Sequence, residues 1–355
     1  MNGSRARSIG ASYPALAVLA CAALGVCGTA CDRSVDTLGR YALVQGSSGS
    51  GGSTTSDSGG KASSLNLDGS VTSGGGEGGG DASLVAALPP GFTASDVGGY
   101  RLGMPITGSG SGGASADADA GADNCGNILL AVVRDFRGAN EPGGHPDFEQ
   151  FATTQGTPHL VADVLGDERK PTYASHCELG AALDRTMCPQ GAQTTTKANF
   201  DEWYRDTPGV NEPYILYFYF KPEGNGLFLF QAAHYFPLDG AGFGNTPMYP
   251  HNYSFTSELH AKFEYLGGET FDFTGDDDVW VFMNGILAVD LGGVHHAEDG
   301  KIDLDSAANS LGITPGNVYN LDLFQAERHT DQSDFRVETN LSFVNCGFVQ
   351  PEVVK

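Results

Sequence analysis

Basic side chains are scarce in this sequence. Its 355 residues carry 19 Lys and Arg against 43 Asp and Glu, a formal charge of −24 at pH 7. Phosphates would be repelled, which excludes non-specific nucleic-acid binding. The same acidity suits a soluble exported protein and divalent cations. Long apolar runs are missing beyond residue 31, so no later segment reads as a membrane-spanning helix. Cysteine is rare, at 7 residues, and no two cysteines stand with histidines at zinc-ligand intervals. A His-x-x-x-His pair, the mark of a zinc hydrolase, is also lacking. Between Gln45 and Ala87 aromatic and β-branched residues nearly vanish, so that stretch cannot recover the entropy of ordering.

What is present begins with an export signal over residues 1–31. Arg5 and Arg7 supply a positive start, and Ala15 to Val26 an apolar segment; Gly28, Thr29 and Ala30 then precede Cys31. A cysteine in that place resembles the bacterial lipoprotein lipobox, which implies lipidation at Cys31 and a membrane contact only through that anchor. Gly28 departs from the bulky aliphatic usual there, and Cys21 is the rival position. Plain secretion is the alternative. Residues 32–124 read as a disordered Gly/Ser-rich tether, with Leu88 to Ile106 as a possible packed arm within it. Residues 125–346 read as the folded domain and 347–355 as a tail. Four cysteines remain after the signal: Cys125, Cys177, Cys188 and Cys346. An even number in an exported chain predicts two disulfides, with three pairings open.

The folded part reads as all-β. Tyr253 to Tyr265 alternates: Tyr253, Phe255, Leu259, Ala261, Phe263 and Tyr265 share one face. Ser254, Thr256, Glu258, His260, Lys262 and Glu264 share the other. That is a half-buried antiparallel strand. Further strands are expected at Ile128–Val133, Thr270–Phe273, Val279–Met283, Ile286–Leu291, Lys301–Leu304, Val318–Gln325 and Phe335–Phe343. Ile215–Phe220 and Leu227–Phe230 are expected to pair as a hairpin. Thr194 to Arg205 is the single helix expected. Short strands between Gly and Asn turns predict an antiparallel β-sandwich of jelly-roll type.

The stretch with most chemistry is Asp276-Asp277-Asp278, set between two strands. Three adjacent carboxylates require a cation or strong donors, and calcium takes six to eight hard oxygens from such turns. Asn284 and Asp290 are candidate further oxygens, as are the Asp299–Asp305 segment and backbone carbonyls. One Asp capping the turn, with the others solvated, is the bland competitor. His295 is expected to support the loop facing Asp276. Glu327 and Arg328 are expected to form an ion pair at a strand end, with His329 beside them. Carboxylates abound and a glycosidase needs only two, so a glycan-acting hydrolase is the third reading; abundance, however, is not a pair at defined separation, and no catalytic constellation is legible.

GGETFDFTGDDDVWVFMNGILAVDLGGVHHAEDGKIDLD, followed by YNLDLFQAERHTDQSDFRVET, resembles the fibro-slime domain family; HPDFEQF, TTKANFDEWYRDTPGV and FPLDGAGFGN are also typical of it. That family is similar to the protective-antigen-like β-sandwich of fungal flocculins and epithelial adhesins. The resemblance implies a non-catalytic surface module that binds a glycan or an extracellular matrix component. It implies that Asp276 and Asp277 hold Ca2+, with Asp278 as an additional acid. Asn284, Asp290, His295, Glu327 and His329 are then candidates for the ligand side. The second calcium loop of the sugar-binding members has no clear counterpart; Gly292–Asp299 and Glu327–Asp334 are the options. A matrix scaffold in which calcium only stabilises the fold is the rival reading.

Overall fold

The computed structural model of the chain describes residues 98–106, 127–166, 168–174, 177–330 and 332–345. Two antiparallel sheets face each other, as the alternation predicts. The larger has the order β1-β3-β2-β6-β11-β8-β9, with β13 also on β6. Its members are β1 (Gly99–Pro105), β2 (Ile128–Phe136), β3 (Asn211–Tyr219), β6 (Phe255–Tyr265), β8 (Asp278–Met283), β9 (Ile286–Leu291), β11 (Asn317–Glu327) and β13 (Ser342–Asn345). The smaller has the order β10-β7-β12-β5-β4. It comprises β4 (Lys221–Gly224), β5 (Leu227–Ala232), β7 (Thr270–Gly275), β10 (Glu298–Asp303) and β12 (Phe335–Thr339).

Period-two alternation decides what fills the space between the sheets. Val279, Val281 and Met283 of β8, with Leu321 and Leu323 of β11, point inward beside Leu259 and Phe263 of β6 and Phe271, Phe273, Phe335 and Val337 opposite. Phe218, Phe230 and Tyr235 gather around Phe335 at ring-centroid distances of 4.9–5.5 Å. Each such side chain contributes about 1.5–3 kcal/mol by leaving water.

The opposite face of the larger sheet is also covered. Residues 137–210 lie over it, and Phe148, Leu160, Phe200, Trp203 and Tyr204 pack on Trp280, Phe282 and Phe324. The half-buried strand expected at 253–265 is therefore buried on both faces over most of its length. Glu258 and His260, expected toward solvent, are instead buried in an ion network. Arg134 and Lys170 reach Glu258 at 2.7 and 2.5 Å, and His260 bridges Glu258 and Asp322 at 2.5 Å each. The covering segment holds a Cys177–Cys188 disulfide, which settles for two of the four cysteines a pairing that the sequence left open. Cys31, Cys125 and Cys346 lie outside the described residues.

Three further expectations change. Residues 99–105, counted with the tether but set apart there as an arm that could pack, form β1 and pair with β3. Ile215–Phe220 and Leu227–Phe230 do not pair with each other: β3 joins β1 and β2, and β5 pairs with β4 and β12. The change of sheet comes after β3, and the turn at Asn225 and Gly226 joins β4 to β5. A second helix follows β10. It is α2 (Leu304–Leu311), begun by the Asp303 carboxylate accepting from Ser306 N and ended by Gly312 at φ 65°. That is an Asp cap and a left-handed glycine stop. The expected helix is α1 (Lys197–Asp201), capped by Thr196.

Candidate functional site

The three aspartates sit where the chain crosses from one sheet to the other. β7 of the smaller sheet ends at Gly275 and β8 of the larger begins at Asp278. Asp276 and Asp277 alone make the crossing. Gly275 has to be glycine here: a Cβ would lie 2.6 Å from the Asp334 carbonyl and 2.7 Å from the Phe273 ring. Asp277 takes a left-handed φ of 51°, a conformation a non-glycine residue keeps only when its surroundings impose it. Hydrogen bonds impose it. Its Oδ2 accepts from Arg328 N at 2.6 Å and His329 N at 2.9 Å, and its own N donates to the His295 carbonyl at 3.3 Å.

Neighbouring residues on a strand face opposite sides, and that parity sorts the acids. Asp278 lies on the side of Trp280, toward the covering segment. Arg328 follows the parity of Phe324 and Ala326 and meets it there. Arg328 Nε donates to Asp278 Oδ2 at 2.5 Å with both side chains fully buried, and Gly293 N donates to Asp278 Oδ1 at 2.6 Å. The guanidinium lies 4.5 Å above the Trp203 ring and donates through Nη1 to the Gln193 and Asp147 carbonyls. Burial opposes the charge on Arg328, but Asp278, Asp277 and Asp147 outweigh it and raise its pKa. Asp278 is thus committed to an internal ion pair.

Glu327, on the opposite face, points toward the sandwich interior with Leu321 and Leu323. The expected Glu327–Arg328 pair does not form, because consecutive strand residues diverge. Glu327 is fully buried, and neither carboxyl oxygen has a hydrogen-bond partner of good geometry, although Asp277 and Ser333 lie beside it. Burial, then Asp277 and Asp276, push its pKa well above the carboxylate range. Asp276 Oδ1 accepts from Asp334 N at 2.6 Å, while its buried Oδ2 is unpartnered. Burial and then Asp277 raise Asp276 from 3.8 to about 7, and burial raises Asp277 as well. Glu149 joins the group from the HPDFEQF segment. Its N donates to the Arg328 carbonyl, its Oε1 accepts from Thr330 N at 3.1 Å, and burial raises it to about 7.

Of the remaining expected residues, His295 adjoins the site: its carbonyl accepts from Asp277, and its ring nitrogens face the carbonyls of His296 and Leu291 at 2.7 and 3.0 Å. The backbone of His329 contributes a donor to Asp277. Asp290 stands opposite Trp280 and accepts from Trp280 Nε1 and His159 N, apart from the three aspartates. Asn284 closes the turn at the far end of β8 and donates to the Leu311 carbonyl at 2.9 Å. Arg328 was expected in an ion pair, with Glu327, and takes Asp278 as its partner instead; Glu149 and Asp147 were missed, and nothing local marks them.

The loops around these acids share one rim. Phe136, Phe255, Glu327 and Asp278 end or begin their strands there. Residues 233–253 rise from the same edge, where Tyr235 N donates to the Ser333 carbonyl. Asp135 holds this loop by accepting from Phe243 N and Asn252 Nδ2. Met248 and Tyr249 project from it into solvent. Among the described residues no three His, Cys, Asp or Glu side chains stand at metal-ligand geometry. A cation here would therefore draw on backbone carbonyls and water as well. The donor set fits calcium in kind: hard oxygens, with buried acceptor atoms left without donors.

Residues 206–353 match the PA14 domain. That domain is a carbohydrate-binding and adhesion-like module, and the matched stretch contains Asp276, Asp277, Asp278 and Glu327 but not Asp135, Asp147 or Glu149. Similar proteins come from Dictyostelium discoideum. Protein psiR is 36% identical over 231 residues, 61% of this chain and 21% of its own length. Protein psiC is 35% identical over 224 residues, 60% of this chain and 41% of its own. Protein psiD is 40% identical over 191 residues, 52% of this chain and 36% of its own. The chain thus spans between 21% and 41% of the length of these three relatives. A solved chain described as an anti-sigma factor domain-containing protein aligns over 63% of this chain and 99% of its own, at 11% identity and a TM-score of 0.21, too low to carry an argument.

Proposed function

We propose that this protein is an exported, surface-tethered binding module that engages carbohydrate or a cell-surface or matrix component, with calcium held in its acidic rim. The observation that carries the reading is the set of buried carboxylate oxygens without donors, Asp276 Oδ2 and both oxygens of Glu327, at the joint between the sheets. Folding leaves such groups uncompensated only at a high free-energy cost, and a divalent cation would offset it. Asp276 and Asp277 would hold the ion. When bound, calcium would tie the β7–β8 link to the 328–334 loop and offer open coordination positions to hydroxyl oxygens. Tyr249 and Met248 on the neighbouring loop supply apolar surface for a sugar face. No catalysis is proposed: the acids are buried, and an open cleft between two carboxyls is what a glycosidase needs.

One observation favours a second reading. Asp276 and Asp277 are each only 3% exposed. Calcium would then lock the sheets together, and the outer loops alone would meet a matrix partner. A glycan array probed with and without chelator separates the two. Glycan binding that chelator abolishes supports a sugar-contacting ion. Binding to matrix material that survives chelator, with only the melting temperature falling, supports the scaffold. If chelator changes neither binding nor stability, the calcium site is wrong.

A further inference from the structure

We infer that His260 is a proton-dependent latch. As an imidazolium it ties the covering segment to the larger sheet, and losing its proton at alkaline pH releases that segment around Lys170. The observation that carries this is the placing of both ring nitrogens. Nε2 lies 2.5 Å from Glu258 Oε1, and Nδ1 lies 2.5 Å from Asp322 Oδ1. Strand pairing imposes the arrangement: Asp322 of β11 stands directly opposite His260 on β6, and Glu258 lies two residues back on the same face. A neutral imidazole carries one N–H, so its other nitrogen would set a lone pair against a carboxylate. Two carboxylates call for two N–H groups, which only the imidazolium has.

A proton on one of the carboxyls instead is opposed by their other partners. Glu258 also accepts from Lys170 Nζ at 2.5 Å and from Arg134 Nη1 at 2.7 Å, and Asp322 also accepts from Arg169 Nη2. Cations beside each carboxylate keep it ionised. Burial opposes the charge of Glu258, but Lys170, Arg134 and His260 outweigh it and hold its pKa well below the carboxylate range. Burial likewise opposes the proton on His260, but Glu258 and Asp322 outweigh it and raise its pKa. Asp206, near the end of the covering segment, meets Arg134 Nε at 2.8 Å. Tyr204, buried near Glu258 and Arg134, also faces the group, and burial pushes its pKa up, so its hydroxyl stays neutral.

The network joins two bodies of the fold. Arg169, Lys170 and Asp206 belong to the covering segment, whereas Arg134, Glu258, His260 and Asp322 stand on β2, β6 and β11. Protonated, the ring separates two carboxylates; neutral, it leaves them facing each other across an uncharged group in a dry interior. A folded pKa above the ordinary histidine value, about 6.5, gives stabilisation that is complete below that value and is lost as pH rises through the folded one. Two backbone bonds just before Lys170 report on the release: Leu165 N donates to the Gly285 carbonyl, and Leu287 N donates to the Asp163 carbonyl.

The test is NMR of the full chain with nitrogen-15-labelled histidine over neutral to alkaline pH, beside amide hydrogen exchange read as protection factors. At pH 7.5 a histidine in water is about nine-tenths neutral, whereas His260 is expected to keep hydrogens on both ring nitrogens. Once the ring titrates, protection of the Leu165 and Leu287 amides is expected to fall by about tenfold or more. The Val281 amide, in a strand paired on both sides, is expected to keep its protection. His260→Gln, which cannot carry the charge, should show the lower protection at Leu165 and Leu287 already at neutral pH. A ring that is neutral at pH 7.5 would overturn the inference. So would Leu165 and Leu287 protection that is unchanged where the ring titrates, or a loss there that Val281 shares, which would make His260 a stabiliser of the whole fold. Should His260→Gln fail to fold, the parent titration decides alone, by whether the ring midpoint and the loss of protection coincide.

Discussion

Replacing Asp278 by Asn separates the internal ion pair from the proposed cation site. Asp278 and Arg328 are both fully buried, with Nε and Oδ2 2.5 Å apart. Without the carboxylate, Arg328 keeps only carbonyl acceptors, those of Asp147 and Gln193, while its Nη2 already lacks a partner. Removing one member of a buried pair costs about 3–5 kcal/mol. Asn retains an oxygen that can still accept from Gly293 N, so the lower end, about 3 kcal/mol, is expected. For a domain of this size each kcal/mol moves the midpoint by roughly 2–4 °C, which gives a fall of roughly 6–12 °C. Thermal unfolding followed by far-UV circular dichroism in chelator measures it. Calcium should still raise the midpoint of the variant by as much as it raises that of the parent. A variant as stable as the parent in chelator, but deaf to calcium, would make Asp278 an ion ligand and refute the division of roles drawn from strand parity.

The remaining expectations are independent of that pair. Burial raises Asp135, Glu149 and Asp276 to about 7, so from about pH 4 to pH 7 the folded state binds protons that the unfolded state has lost. Stability in chelator should therefore decline as pH rises through that window, with Asp276 alone accounting for at most about 4 kcal/mol; a midpoint that climbs from pH 5 to pH 8 would contradict this. Asp276→Asn should flatten the decline. Gly275→Ala places a methyl against the Asp334 carbonyl and the Phe273 ring and is expected to cost about 1–3 kcal/mol, read as a lower denaturant midpoint. Opening the Cys177–Cys188 link, which closes a loop of sequence separation 11, should cost about 2–3 kcal/mol and raise protease cleavage within residues 177–194 first.

Strand positions were legible because alternation is local. Ile286–Leu291 appears with the expected bounds, and Asp278–Met283 and Asn317–Glu327 differ from expectation only at their ends. Pairing was not, because the chain changes sheet after β3 and again at Asp276–Asp277, and neither move alters the hydrophobic period. The α2 helix was hidden by its length of 8 residues and its run of small polar side chains, although Asp303 and Gly312 mark its ends. At the site, the Asp run was visible by charge alone. What the sequence could not give was its division. Asp278 and Arg328 meet on one face, Asp277 and Glu327 on the other, and only the strand register, Ala326 opposite Asp278, reveals it. The burial of Glu258 and His260 was likewise out of reach, since it depends on residues 137–210 folding over a face whose pattern reads as exposed.

The central claim is that the joint between the sheets holds a calcium ion, and metal content measures it most directly. Parent protein dialysed against millimolar calcium, then briefly against metal-free buffer at neutral pH, should retain about one calcium per chain by mass spectrometry. The chain carrying Asp276→Asn with Asp277→Asn should retain none while still folding. A parent that retains no calcium, or a double variant that retains as much as the parent, would contradict the account.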